Sequence, residues 1–358
     1  MIAAVEAHIN LTALSHNLAR VRKAAPNSKI MAVIKANAYG HGMVQVAKAL
    51  ATADAFAVAR LQEAVQLRQA GIENEVAVLE GFQNAAELKE CSRYGLQAVV
   101  HHPAQIELLR QTQLQTPIQV WLKVDSGMHR MGVAPETVQA CWQVLQKIES
   151  VSTVRLMTHL ASADDRRSEQ TQQQLDVFRQ ATAGIKTETS IANSAGILGW
   201  PKTHSDWVRP GIMLYGVSPF LDGWGVDEGL EPVMSLTSRL IAIKYFKKGD
   251  AIGYGASWIC PEDMPIGVVS CGYGDGYPRH AVPGTLVMVN GMPTPLLGRV
   301  SMDSICVDLR QQVDAEVGDT ALLWGEGMPV EEIAQSATTL SYEILCSVTQ
   351  RVEFRYIS

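Results

Sequence analysis

Eight short apolar runs punctuate the chain through about residue 220: KIMAVI, DAFAVA, EVAVLEG, LQAVVH, IQVWLKV, VRLMTHL, TSIAN and SDWV. They open at Ile30 (just after Lys29), Asp54, Glu75, Leu96, Ile118, Val154, Thr189 and Ser205. Apolar residues run together in them instead of alternating with polar ones, as in strands buried on both faces of a parallel sheet. Helical signatures lie between them. Leu11, Leu14, Leu18 and Val21 recur at helical spacing behind a capping residue, Asn10. LQEAVQLRQAG and QLDVFRQATAG end on Gly71 and Gly184, and PETVQACWQVLQKI opens with Pro135 at a first-turn position. Eight strand–helix units predict a (β/α)8 TIM-type barrel, with an open doubly wound sheet as the runner-up.

After about Glu231 the pattern changes. SLTSRLIAIKYF, DAIGYGASW, IGVVSCGYG, TLVMVNG, TPLLGRVSMDSICVDL and TALLWG are β-rich, and GD, GYGDG and NG supply turns. Only PVEEIAQSATTLSYEILCSV reads as helical. The expected organisation is α/β + β: a barrel over residues 1–231, then a mostly-β domain over 232–358, joined by a packed hinge near Glu231–Pro232.

Composition narrows the function classes. At roughly 100–200 residues per domain, a chain of 358 residues fits two domains. A net charge of −6 gives no global basic field for nucleic acid. No apolar run approaches the length of a membrane helix. The N-terminus carries Glu6 and lacks a basic stretch before an apolar core, so no signal peptide is expected. Six scattered cysteines, with no C-x-x-C pair, read as free thiols in a reducing cytoplasm.

A barrel places its chemistry at the C-terminal ends of its strands. Strand 1 ends at Lys35 within AVIKANAYGHG, a segment whose Asn37, Gly40 and Gly42 mark a tight turn around Tyr39 and His41. Lys35 either enters the barrel mouth, as an amine nucleophile or proton carrier, or snorkels to solvent at the rim. Strand 5 ends VWLKVDSGMHRMG, where Lys123, Asp125 and Arg130 form either a functional cluster or structural ion pairs. His159 ends strand 6 as a site residue or a satisfied core histidine, and Asn193 and Ser194 follow strand 7 as short donors. Strand 8 ends at Arg209, because Pro210 removes a ladder donor; Gly211 and Ile212 open a short helical segment where barrels often bind phosphate. A lysine, a phosphate cradle and a partner for a ring nitrogen together suit pyridoxal phosphate. There is no H-E-x-x-H pattern, so no metal site is expected, and GYGDGY lacks the following helix that a dinucleotide fold requires.

AVIKANAYGHG, WLKVDSGMHRMG, DWVRPGIMLYG, GYGASW, GYGDGYPR and GRVSMD, in this order along the chain, resemble the alanine racemase family. The resemblance covers essentially the whole sequence. It implies a pyridoxal 5'-phosphate enzyme that interconverts L- and D-alanine, to supply peptidoglycan or to catabolise D-alanine, and that works as a homodimer with shared active sites. By the same resemblance, Lys35 links to the cofactor and is one of two bases. Tyr254, in GYGASW, is the second and comes from the other subunit. Arg209 meets the pyridine nitrogen, with His159 beside the ring. Asn193 belongs to the cofactor site, and Tyr39, Ser194, Gly211, Ile212 and Tyr342 hold the phosphate. Arg130 lies near the substrate carboxylate, and Lys123 matches a position often carbamylated. Met302, Asp303 and Tyr273 line the entrance from the partner.

Racemisation removes a proton from one face of Cα and returns one on the other, which calls for two bases on opposite sides. Lysine and tyrosine, unperturbed near about 10.4 and 10, need neighbouring charges or burial to serve near neutrality. A broader amino-acid racemase is the alternative within the family. A fold-related decarboxylase would present an acid where Arg209 stands, and a non-enzymatic cofactor carrier would resemble the barrel alone.

Overall fold

The structure, a computed structural model, describes residues 4–358. The chain opens with β1 (Glu6–Asn10), and the helix Leu11–Ala24 starts where the Asn10 side chain accepts the Ala13 N–H at 3.0 Å. Eight parallel strands then close a barrel: β2 (Lys29–Val33), β3 (Ala55–Val58), β4 (Glu75–Val78), β5 (Gln97–Val100), β6 (Ile118–Lys123), β7 (Val151–Met157), β8 (Thr189–Ser190) and β9 (Trp207–Val208). β9 pairs back onto β2 through Lys29–Trp207 and Ile30–Val208. Strands β3 and β5 are buried along their whole length, which is why their sequences show no alternation. Gly71 takes φ +80° just past its helix, and Pro135 opens the turn that leads into the helix Val138–Leu145.

The second domain holds β10 (Met234–Phe246), β11 (Ala251–Ile252), β12 (Trp258–Ile259), β13 (Met264–Val269), β14 (Leu286–Val289), β15 (Met292–Leu297), β16 (Ile305–Asp308), β17 (Thr320–Trp324) and β18 (Glu353–Ile357). Its main sheet runs β13-β16-β15-β14-β17-β10-β1-β18. The long β10 serves three neighbours: its first half lies between β1 and β17, and from Leu240 onward, with an irregularity between Leu240 and Ala242, its second half pairs with β13. The helical stretch becomes two short helices, Val330–Ser336 and Ser341–Ser347.

One expectation needs correcting. Residues 6–10, placed in the barrel by a boundary at 231, form β1 in the second domain's sheet, antiparallel to β10 and parallel to β18. Ala7 and Ile9 alternate with polar neighbours, a pattern of a one-sided sheet that differs from the barrel runs. The two domains share one continuous apolar core, in which Met213, Leu214 and Tyr215 meet Met234, Trp324 and Leu345. Buried Asn17 ties the connection, donating to the Leu214 and Glu231 carbonyls at 3.0 and 2.8 Å and accepting the Glu231 N–H at 2.9 Å. Gly216 is left-handed, and a side chain there would strike the Glu231 carbonyl. Among the described residues no helix is long and apolar enough to cross a membrane.

Candidate active site

A cavity of about 860 Å³ occupies the C-terminal mouth of the barrel, roofed on one side by the helices near residues 331–346. Lys35, Tyr39, Lys123, Arg130, His159, Asn193, Ser194, Arg209, Gly211, Ile212 and Tyr342 all line it. Residues from five strand ends and from the second domain thus converge on one space, as the barrel rule anticipates.

Lys35 lies two residues beyond β2, at the head of the turn Lys35–Tyr39, and was expected at the strand end itself. Burial pushes its ammonium below the usual lysine range, and Arg130 adds to the effect. The rim alternative therefore fails: the side chain lines the cavity. Lys123 is buried with no carboxylate partner among the described residues; burial, then Arg209 and Arg130, bring it down to about 8. Its neighbour Asp125 turns away and accepts the Gly127 and His129 N–H groups at 3.1 and 2.9 Å. The ion-pair reading of that cluster does not hold.

Arg209 is 4% exposed and held from several sides. It donates to Ser190 Oγ and the Thr158 carbonyl, each at 2.5 Å, and to the Ile191 carbonyl at 3.3 Å. His159 Nδ1 lies 3.3 Å from the same guanidinium. Arginine only donates, so Nδ1 accepts and the ring's own proton sits on Nε2. Burial and the adjacent Arg209 keep this imidazole neutral, well below its ordinary range. Arg209 itself falls only to about 10 through burial, so it stays charged near neutrality.

The opposite corner is built from short groups. Asn193 accepts the Gly196 N–H at 2.9 Å, and Ser194 Oγ accepts the Gly211 N–H at 2.8 Å and the Met213 N–H at 3.4 Å. A Cβ on Gly211 would come within 2.7 Å of the Tyr39 hydroxyl. Tyr39 packs between Tyr215 and Tyr342, with ring centroids 4.8 and 5.8 Å away. Burial holds the Tyr39 phenol neutral, far above its ordinary range.

Four expected residues are elsewhere. Tyr254, Tyr273, Met302 and Asp303 lie on the second domain's surface and do not line this cavity. Tyr254 is 68% exposed, and Asp303 pairs with Arg351 at 2.8 Å.

Two carboxylates escaped the sequence reading. Glu63 accepts the Ala36 N–H at 2.7 Å and the Ala59 and Arg60 N–H groups at 2.8 and 3.0 Å, bracing the Lys35 turn. Its place three residues into a helix, behind Arg60, is a capping position that could have flagged it. Glu331 is buried, lines the cavity and accepts the Ser218 and Gly225 N–H groups at 3.1 and 3.0 Å, fixing the loop after the barrel. Nothing in its local sequence signals that role.

Family models for the N-terminal and C-terminal domains of alanine racemase match residues 9–219 and 233–356. The chain is 49% identical over 354 residues to an alanine racemase of Coxiella burnetii, covering 97% of each chain. It is 49% identical over 351 residues to a biosynthetic alanine racemase of Escherichia coli, covering 98% of each. The crystal structure of biosynthetic alanine racemase from Pseudomonas aeruginosa superposes with a TM-score of 0.97 at 43% identity, over 100% of both chains. With matches to both domains and along its full length, the chain belongs to the alanine racemase family.

Proposed function

We propose that this chain is a pyridoxal-phosphate-dependent alanine racemase, acting in the cytoplasm as a homodimer whose sites are shared. The observation that carries the reading is one cavity lined both by a partly buried lysine of lowered basicity and by a buried, charged Arg209. The residues present fit the cofactor. Gly211 leaves open the space that a Cβ would take from Tyr39, and the tyrosine, serine and turn amides there suit a phosphate. The Gly211 N–H is already taken by Ser194 Oγ, so Ser194 and Gly211 act on the phosphate as one unit.

In this reading Tyr39, Ser194, Gly211, Ile212 and Tyr342 hold the phosphate, and His159 packs beside the ring with Asn193 at the same site. Arg209 would face the pyridine nitrogen as a donor and, remaining charged, would disfavour a proton there. Arg130 meets the alanine carboxylate, and Lys123, carbamylated, steadies Arg130. A basicity near 8 leaves Lys123 an appreciable neutral fraction, the form that reacts with carbon dioxide. When bound, pyridoxal phosphate supplies an electron sink that acidifies the Cα proton of alanine. Lys35 Nζ takes or returns that proton on one face. The other face needs a second base, assigned to Tyr254 of the partner subunit, with Met302, Asp303 and Tyr273 of the partner subunit at the entrance.

The test is polarimetry of L-alanine with the cofactor-loaded protein. Loss of rotation towards the racemate, absent from Lys35→Ala, is the expected result. Activity confined to lysine or arginine would overturn the alanine assignment and spare the mechanism; activity on alanine and other amino acids alike would favour a broader racemase. Cofactor binding without racemisation of any amino acid would leave only a carrier.

A further inference from the structure

Four consecutive non-glycine residues, Ala36, Asn37, Ala38 and Tyr39, take φ values of 52°, 53°, 54° and 51°. In that left-handed region an L-residue's Cβ crowds the following carbonyl, so a whole turn of it persists only where the surroundings enforce it. Glu63 holds its beginning through the Ala36 N–H, and the Asn37 side chain accepts the Met43 N–H at 2.9 Å. The end is held by His41. Its Nδ1 lies 2.9 Å from the Tyr39 carbonyl and 3.1 Å from the Ala38 carbonyl. Carbonyls only accept, so Nδ1 carries the proton. Nε2 is buried with no hydrogen-bond partner, and a second proton there would meet no acceptor. Burial accordingly brings the imidazole down to about 4, and the ring stays neutral. It packs on Tyr215 with centroids 4.7 Å apart, and Tyr215 in turn packs on Tyr39 and donates to the Val33 carbonyl at 3.0 Å.

We propose that His41 is a positioning residue: donating from Nδ1 to the Tyr39 and Ala38 carbonyls, it locks the left-handed turn and so sets the separation between the Lys35 amine and the anion-binding corner at Tyr39 and Gly211. His41 does not line the cavity and acts through the turn. The proposal deepens the racemase reading and rests on it. One ligand must meet Lys35 at its aldehyde end and Tyr39 at its phosphate end. Its second contact strengthens binding only when the spacing between the two is right.

The experiment compares His41→Asn with His41→Gln in the full-length protein freed of cofactor. Asparagine places an amide nitrogen near the Nδ1 position, and glutamine reaches towards Nε2. Absorbance titration gives the dissociation constants of pyridoxal phosphate and of pyridoxal, and their ratio measures what the phosphate adds. That ratio is expected to stay near wild type in His41→Asn and to fall roughly tenfold in His41→Gln, the size of one lost hydrogen bond. A merely structural histidine would lower Tm in both variants and leave the ratio unchanged in the folded protein. An unchanged ratio in His41→Gln, or equal loss in both variants, overturns the proposal. If His41→Gln does not fold, His41→Ala, which has no donor, takes its place: a ratio that falls relative to His41→Asn supports the proposal and an unchanged one overturns it. Wild-type protein that binds pyridoxal phosphate but racemises nothing would sink the racemase reading and leave the His41 ratio readable. Wild-type protein that does not bind it would overturn both.

Discussion

The barrel mouth and the second domain's outer face carry the two halves of the expected chemistry in opposite states. At the mouth three side chains are firmly held: Arg209 by hydrogen bonds to Ser190, Thr158 and Ile191, Ser194 by two turn amides, Tyr39 by two flanking rings. On the outer face Tyr254 sits in a short turn at Tyr254–Ala256, between a left-handed Gly253 and a left-handed Gly255, largely in solvent. Tyr273 and Met302 are similarly exposed. A proton-transfer group must be held close and in line to be useful, and among the described residues no side-chain hydrogen bond holds Tyr254 that way. The contrast teaches that the barrel mouth is preorganised within one chain, and on the proposed reading the other face of the reaction is completed by the partner subunit.

The largest effect that could break this contrast is at Lys35. Lys35→Ala removes the amine from the preorganised half and is expected to lower racemisation by ~10³-fold or more, together with the visible absorbance of the lysine-linked cofactor. Retention of more than a few per cent of turnover would show that the mouth does not hold the base. Next in size is complementation between the two halves. Lys35→Ala and Tyr254→Phe homodimers are both expected to be nearly inactive. A mixed dimer has one site with both lesions and one with neither, so random mixing restores about a quarter of wild-type activity if a two-fold axis shares the sites. Heterodimers that form without regaining activity would place Tyr254 outside the chemistry.

The same contrast explains what was legible in the sequence. The eight barrel strands read well because burial on both faces leaves contiguous apolar runs, and the barrel rule then selects the residues after them. β1 was misplaced because alternation over five residues marks a one-sided strand but not the strands it pairs with; those partners, β10 and β18, lie more than two hundred residues away. Lys35, Arg209 and Gly211 were legible from strand ends. The roles expected of Tyr254, Tyr273, Met302 and Asp303 rest only on family resemblance, since an exposed turn in a β domain carries no local pattern of its own for such a role. Glu331 was not legible at all. Its role depends on two amides of a loop more than a hundred residues earlier.

A smaller perturbation sharpens the picture of the preorganised half. Gly211→Ala puts a methyl group 2.7 Å from the Tyr39 hydroxyl, and the ring cannot swing aside because Tyr215 and Tyr342 flank it. Pyridoxal phosphate is expected to bind roughly 10–100-fold more weakly, in line with one or two kcal/mol of misfit plus a disturbed hydrogen bond. Binding of phosphate-free pyridoxal should change far less. Equal losses for both compounds, measured by absorbance titration, would move the phosphate away from this corner.

The smallest expected effect concerns Lys123, and its sign follows from linkage. Burial and neighbouring cations hold its folded-state value at about 8, against an ordinary lysine value of 10.5 in the unfolded chain. Below pH 8 both states carry the proton, and the folded state bears the full cost of a buried, unpaired ammonium. Between about 8 and 10.5 the folded lysine is neutral while the unfolded one is still charged. The unfolded state then binds more protons, so stability rises with pH across that window. In Lys123→Met the contribution is absent. The difference in Tm, wild type minus variant, should therefore climb by roughly a few degrees between pH 8 and 10. Cofactor-free protein in buffer stripped of carbon dioxide keeps carbamylation out of the measurement. Lys35 titrates in the same direction in both proteins, so most of its contribution drops out of the difference and only its repulsion with Lys123 remains. A flat difference would mean that Lys123 is already neutralised below pH 8, or that solvent reaches it in the free protein. Either result would blur the boundary between a fixed mouth and an unfinished outer face.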